Sequence, residues 1–280
     1  VTNVAVIGIG KFGYYHAEKY SQMPRVNLIL ADKVATRAES AAVKLGATYT
    51  DDYHNIEKAD YVSVVTPDAT HHEIAKHFLR RGSNVLIEKP MTISLEEADQ
   101  LFVLAKLYEK KLFVGHLERY NSEYLKAKQN ISNVNGKNHY DYIKAWRSNN
   151  GKDYPRDNSD VVTDLMLHDI DLVLDLVGEE VKFIQAKGLR NGIGKHYFAN
   201  ARMVFANGTI ADLTADRMSE EKRASMHVVG GGAGMKINFL EKKNDTLADE
   251  LNDFIYGGYS NFVTARETLR VAFNIIKSIQ

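Results

Sequence analysis

Val4-Ala5-Val6-Ile7-Gly8-Ile9-Gly10-Lys11-Phe12-Gly13, with Asp32 closing a second apolar run, decides the fold of this chain. An apolar strand enters a loop with three glycines, and a helix follows. Gly8 permits the tight turn off the strand, Gly10 lets the backbone approach a pyrophosphate, and Gly13 lets the helix lie close to the sheet. A helix from Lys11 to Gln22 then aims its unpaired amides and positive dipole end at the phosphates. Asp32 follows the last glycine by about the twenty residues such a fingerprint requires, and its carboxylate suits the ribose hydroxyls of an adenosine. Strand, loop, helix and acid together predict dinucleotide binding by Gly8, Ile9, Gly10, Lys11, Phe12, Gly13 and Asp32. The acid favours NAD because its charge repels a 2′-phosphate. Lys33 and Arg37 keep NADP open as the alternative, since either can neutralise that phosphate.

The chain of 280 residues suits two domains. Its 36 basic and 36 acidic residues cancel, so the total charge points neither to nucleic acid nor to an anionic membrane. No apolar run reaches the ~18 residues of a membrane helix, and no signal-type start is present, which reads as a soluble, cytoplasmic protein. The absence of cysteine excludes disulfides, thiolate metal sites and cysteine nucleophiles.

Between residues 3 and 115, short apolar strands near 3–8, 26–31, 47–49, 61–66, 84–87 and 112–115 alternate with helices near 11–22, 34–45, 69–81 and 94–109. That alternation predicts an α/β Rossmann domain, a doubly wound parallel sheet, over residues 1–118. After Gly115 the pattern changes. Helices near 119–130 and 160–177 precede alternating segments near 181–190, 197–206, 209–216, 225–229 and 234–240, and a last helix runs from Val263 to Ile279. Asn207-Gly208 is a hairpin signal. Strands in series without intervening helices predict an α+β domain on a mostly antiparallel open sheet over residues 119–280. Gly230-Gly231-Gly232-Ala233-Gly234 joins two strands and reads as a turn rather than a second phosphate loop. An open sheet has a face and edges to cover, which predicts a homodimer or homotetramer.

Three groups of residues can carry chemistry. Thr66-Pro67 ends a strand of the first sheet, so Thr66, Pro67 and His71 are expected to border the cofactor; His71 reads equally as the first turn of a surface helix. Glu88-Lys89-Pro90 arrives at the same sheet edge. An ammonium there can bond a substrate hydroxyl or exchange a proton, although a solvated surface lysine is the simpler reading of Lys89 taken alone. Asp164 and His168 are four apart on a predicted helix, where a carboxylate can stabilise an imidazolium that takes a hydroxyl proton. A helix-face pair without function fits them as well. Metal binding by His168, Asp169 and Asp171 would need side chains on three sides of one helix, so no metal is expected.

Taken in order, these signals resemble the Gfo/Idh/MocA oxidoreductases. The resemblance implies that Lys89, Asp164 and His168 form the proton-handling set, that Glu88 and Lys89 stand near the nicotinamide ribose, and that the Lys89-Pro90 peptide is cis. Val114-Gly115-His116-Leu117-Glu118-Arg119-Tyr120-Asn121 and Val161 to Asp171 resemble the branch that includes UDP-N-acetylglucosamine 3-dehydrogenases. This implies oxidation of a secondary alcohol of a sugar or nucleotide sugar by NAD, with His116, Arg119, Asn121 and Arg147 joining Lys89, Asp164 and His168 at the substrate. Arg119, Arg147 and Arg156 are the candidate cations for a diphosphate, each reading equally as a surface arginine, with the surface reading ahead for Arg156. Ser122 departs from the branch, which usually has proline there. The alternatives are a free-sugar or cyclitol (inositol-type) dehydrogenase, and a non-catalytic NAD-sensing regulatory protein on the same scaffold.

Overall fold

Four consecutive buried residues, Val4 to Ile7, form most of strand β1 (Thr2–Ile7), and cover on both faces explains why no polar residue interrupts them. The computed structural model describes residues 1–132, 140–149, 159–241, 243–258 and 260–279. From β1 the chain passes through α1 (Lys11–Ser21), β2 (Val26–Ala31), α2 (Ala35–Leu45), β3 (Thr48–Thr50) and β4 (Tyr61–Val64). It continues through α3 (His71–Arg80), β5 (Asn84–Glu88), α4 (Leu95–Leu107) and β6 (Leu112–Gly115). All pairs are parallel, in the order β3-β2-β1-β4-β5-β6. The winding reverses between β1 and β4. In such sheets that reversal opens a crevice beyond the carboxyl ends of the strands, where ligands bind.

The second sheet forms after helix α5 (Ser122–Ser132). It comprises β7 (Tyr142–Ser148), β8 (Val181–Arg190), β9 (His196–Phe205), β10 (Ile210–Asp216), β11 (Arg223–Gly230) and β12 (Ala233–Asn238), in the order β12-β11-β7-β10-β9-β8. Helix α6 (Leu167–Val177) lies between β7 and β8 in the chain. Every pair is antiparallel except β7 with β10. The central strand β7 was not among the expected segments, because Lys144, Trp146 and Arg147 obscure its alternation. Ile143, Ala145 and Arg147 point inward together, as a period of two requires. The inner face is rich in alanine, with Ala145, Ala199, Ala201, Ala211 and Ala215 all buried, and these small side chains let the α6 backbone approach the sheet.

Both predicted turns are present. Gly208 has φ +88° between β9 and β10, and Thr209 N–H donates to Asn207 Oδ1 at 3.1 Å. Gly231 and Gly232, with φ +59° and +80°, close the two-residue hairpin between β11 and β12, so the glycine run is a turn.

The chain divides into two units, Val1–His116 with Leu247–Arg266, and Leu117–Thr246 with Glu267–Gln280. This differs from one division after residue 118: the first unit regains a later segment. Helix α7 (Thr246–Tyr256), absent from the expected elements, buries Leu251, Phe254 and Ile255. The Phe254 ring meets Tyr61 at 5.3 Å and Phe113 at 5.7 Å. Asn261, just before α8 (Phe262–Ser278), pairs its amide with Val114 N at 2.8 Å and Val114 O at 2.7 Å, satisfying the outer edge of β6. No described helix is long and apolar enough to cross a membrane.

Candidate active site

In the first unit the glycine loop is built by close backbone approach. Gly8 has φ +91°, and a Cβ there would stand 2.4 Å from Val65 O. A Cβ on Gly13 would stand 1.8 Å from Gly8 O, so only glycine lets α1 begin this close to the loop. Gly10 differs: nothing lies within 4 Å of its missing Cβ, and it precedes α1 without capping it by a side chain. The result is an open backbone surface at a helix N-terminus, which suits an anion.

Asp32 is buried, and its carboxylate holds the loop in place. Oδ2 accepts from Ile9 N at 2.8 Å, Oδ1 accepts from Val34 N at 2.9 Å, and Arg37 Nη1 reaches Oδ2 at 3.2 Å. Part of the acceptor capacity expected for ribose is therefore spent on main chain. Arg37 pairs with this acid while its side chain stays 51% exposed.

The loops after β4 and β5 are tied together. His71, 1% exposed, places Nε2 2.7 Å from Thr66 O and Nδ1 2.9 Å from Pro90 O. His71 thus braces the two loops through their carbonyls and is no surface residue. Pro67 is exposed beside it, and Thr66 Oγ1 accepts from Thr70 Oγ1 at 2.7 Å. The Lys89-Pro90 peptide is cis, and Lys89 is half-buried. Glu88 is 7% exposed; its Oε1 lies 3.1 Å from His16 Nε2, and its Oε2 accepts from Lys89 N at 3.3 Å. Nothing in the motifs flagged His16; its only signal was a place on the inward side of a helix.

In the second unit, Asp164 lies in a π-helical turn, Val162–Met166, rather than in regular α-helix, and α6 with His168 follows directly. Arg217, with a side chain fully buried, donates from Nη2 to Asp164 Oδ2 at 2.6 Å and from Nη1 to Ser159 O at 2.5 Å. The turn is anchored upstream by Asp160, whose Oδ1 accepts from Val162 N at 3.0 Å and whose Oδ2 lies 2.7 Å from His196 Nδ1. Arg190 Nε donates to His196 Nε2 at 3.0 Å, so His196 is the neutral Nδ1–H tautomer. His168 is half-buried and His116 is buried.

A family model described as "Oxidoreductase family, NAD-binding Rossmann fold" matches residues 2–116, and one for the "GFO/IDH/MocA C-terminal domain" matches residues 130–235. The chain belongs to the Gfo/Idh/MocA oxidoreductase family. A curated relative, UDP-N-acetylglucosamine 3-dehydrogenase from Acidithiobacillus ferrooxidans, is 33% identical over 86% of this chain and 74% of its own length. The scyllo-inositol 2-dehydrogenase (NAD(+)) of Bacillus subtilis is 29% identical over 87% of this chain and 75% of its own. A solved structure of the Acidithiobacillus enzyme superposes with a TM-score of 0.90 at 30% identity, over 99% of this chain and 97% of that one.

As a Gfo/Idh/MocA protein the chain binds NAD, and the first unit fits it. Gly10 presents its open backbone at the N-terminus of α1, Asp32 follows the end of β2, and Thr66 and Lys89 follow β4 and β5, with Glu88 the last residue of β5, at the carboxyl edge where sheets of this kind bind ligands.

Three expected substrate residues are otherwise engaged. Arg119 grips Asp171 through Nε at 2.6 Å and Nη2 at 2.7 Å, with Asp175 on Nη1 at 3.4 Å. Burial alone would lower its guanidinium, but Asp171 and Asp175 outweigh burial and raise it. Arg147 spends all three nitrogens on Asp169 and Glu118. Asn121 caps α5, its Oδ1 accepting from Glu123 N at 2.9 Å and Tyr124 N at 3.3 Å. Both arginines expected at a diphosphate thus have their forks engaged by carboxylates of the chain itself. Arg156 lies outside the described residues.

Proposed function

We propose that this protein is an NAD-dependent dehydrogenase of a secondary alcohol on a sugar or nucleotide sugar, with UDP-N-acetylglucosamine and its 3-hydroxyl the first candidate. The observation that carries this is the 33% identity to a UDP-N-acetylglucosamine 3-dehydrogenase over most of both chains, joined to the presence of Lys89, Asp164 and His168 in this chain. NAD, when bound, accepts the hydride from the carbinol carbon. Oxidation also releases the hydroxyl proton, and Lys89 and His168 are assigned to receive it, with Asp164 supporting the set. Arg217 donates to the Asp164 carboxylate and fixes its direction. Because Lys89, Asp164 and His168 form a proton-transfer set that a sensor does not need, the regulatory reading is set aside.

One observation favours a second substrate class, the free cyclitols. With Arg119 and Arg147 bound to carboxylates, two of the cations expected at a diphosphate are unavailable, whereas a cyclitol needs none. Turnover measured with UDP-N-acetylglucosamine, glucose and myo-inositol decides between the classes. The proposal expects the nucleotide sugar to have the highest kcat/KM; a preference for myo-inositol moves the assignment to the cyclitols.

We also read the protein as a homodimer or homotetramer. The outer face of the second sheet carries Trp146, Lys144, Tyr142, Asn200 and Thr214, with Arg202 and Asp212 cross-linked at 2.7 and 2.8 Å. A broad ordered face of this kind suits a second copy. Light scattering at micromolar concentration tests it, and a monomer contradicts it.

A further inference from the structure

We propose that His16 is a positioning residue that fixes the Glu88 carboxylate and thereby the direction in which Lys89 leaves β5. This rests on the reading of Lys89 as part of the proton-handling set. His16 is fully buried on the inward face of α1, beside Gly13, Ala17 and Tyr20. Its Nε2 is 3.1 Å from Glu88 Oε1, and the other carboxylate oxygen accepts the Lys89 main-chain N–H at 3.3 Å. An ionised carboxylate only accepts, so His16 Nε2 carries the proton in this contact.

The place of the Glu88 carboxylate is prepared by three elements. β5 supplies it, α1 supplies its donor, and β6 makes room: a Cβ on Gly115 would stand 2.5 Å from Glu88 Oε1. A carboxylate directed to solvent would need none of this. The imidazole is also a poor choice for packing alone. Its Nδ1 is buried with no hydrogen-bond partner, a cost that an apolar side chain of similar size would avoid. Phe12 meets the ring edge-on at 5.0 Å, so apolar surroundings are at hand for such a replacement. What leucine or phenylalanine could not supply is the Nε2 donor. Since His16 also stands on the helix whose first turn faces the pyrophosphate, one side chain links the phosphate-binding helix to the strand end that bears Lys89.

His16→Leu and His16→Gln test this, the glutamine amide reaching the same acceptor. Both are compared with wild type by thermal unfolding, by NADH fluorescence titration without substrate, and by kcat and KM on whichever of the three sugars above the wild type oxidises. His16→Leu is expected to lower kcat by about tenfold to a hundredfold with NADH affinity within about threefold, since small misplacement of a reacting group has effects of this order. His16→Gln is expected to recover most of the loss. Wild-type kcat in His16→Leu, or equal losses in both variants, overturns the proposal. If the leucine variant does not fold, 15N spectra of the wild-type ring decide: an Nε2–H ring that Glu88→Gln perturbs is expected, and an Nδ1–H ring with bare Nε2 contradicts it. Lys89→Ala separates the two levels. Full turnover in that variant defeats the catalytic reading of Lys89, whereas loss there with wild-type kcat in His16→Leu defeats only the role of His16.

Discussion

The Arg147 guanidinium is clamped on the Asp169 carboxylate, with Nη2 2.9 Å from Oδ1 and Nε 3.3 Å from each oxygen, while Nη1 reaches Glu118 at 3.2 Å. Burial raises the Asp169 carboxyl, and the charge and hydrogen bonds of Arg147 offset that only in part. Breaking a buried pair leaves an uncompensated charge. Asp169→Asn is therefore expected to cost about 3 kcal/mol in urea unfolding, with the KM for sugar unchanged in the protein that remains folded. A rise in KM without loss of stability would return Arg147 to the substrate.

Gly10 and Gly13 separate binding from folding. Gly13→Ala drives a methyl into Gly8 O and is expected to destabilise the first unit by about 1–3 kcal/mol. Gly10→Ala meets no protein atom within 4 Å, so it is expected to change stability by under about 1 kcal/mol while weakening NADH binding by about tenfold or more. Thermal unfolding and NADH fluorescence check the pair; undiminished affinity in Gly10→Ala would mean that the pyrophosphate does not approach there.

The first unit was legible because parallel strands buried on both faces leave unbroken apolar runs, and because the glycine loop works through its own backbone. Chemistry that depends on a partner was not. Arg119 reads as a free cation until Asp171, 52 residues away, is folded onto it, and His16 reads as an ordinary helix residue until Glu88, 72 residues on, arrives. The same blindness hid β7: its inward position 147 is an arginine, so the alternation that marks a strand looks broken, although a buried ion pair satisfies it. Helix α7 was not among the expected elements, although Leu247, Leu251, Phe254 and Ile255 recur at the helical spacing of one buried face.

Asn121 is a cap. Its Oδ1 bonds to the amides of Glu123 and Tyr124, and Leu125 N donates to Asn121 O at 3.0 Å, the first bond of α5. Asn121→Ala is expected to cost about 1 kcal/mol of stability with kcat and KM retained. Equal stability with raised KM in the same assay would restore its substrate role.

His77 predicts an acid-side loss of stability. Burial first, then the neighbouring charges of His54 and Arg81, lower its pKa below the ordinary 6.5, with Asp52 opposing weakly. Its Nε2 is buried without a partner, and the rings of Tyr53 and His54 lie 5.3 and 4.9 Å away. A depressed folded-state pKa means that the unfolded chain takes the proton first. The contribution is complete above pH 6.5 and falls away as pH drops through the folded-state value. His77→Phe is expected to show a smaller fall in Tm between pH 8 and pH 5 than wild type, in about the range of a single titration; an identical fall would assign the acid sensitivity elsewhere.

Steady-state turnover of wild type, Lys89→Ala and His168→Ala, followed by NADH absorbance beside NADH titrations of each, tests the proton-handling set most directly. Each variant is expected to lose about 10²-fold or more in kcat while still binding NADH. Wild-type turnover in both would contradict the assignment of Lys89 and His168 to the reaction.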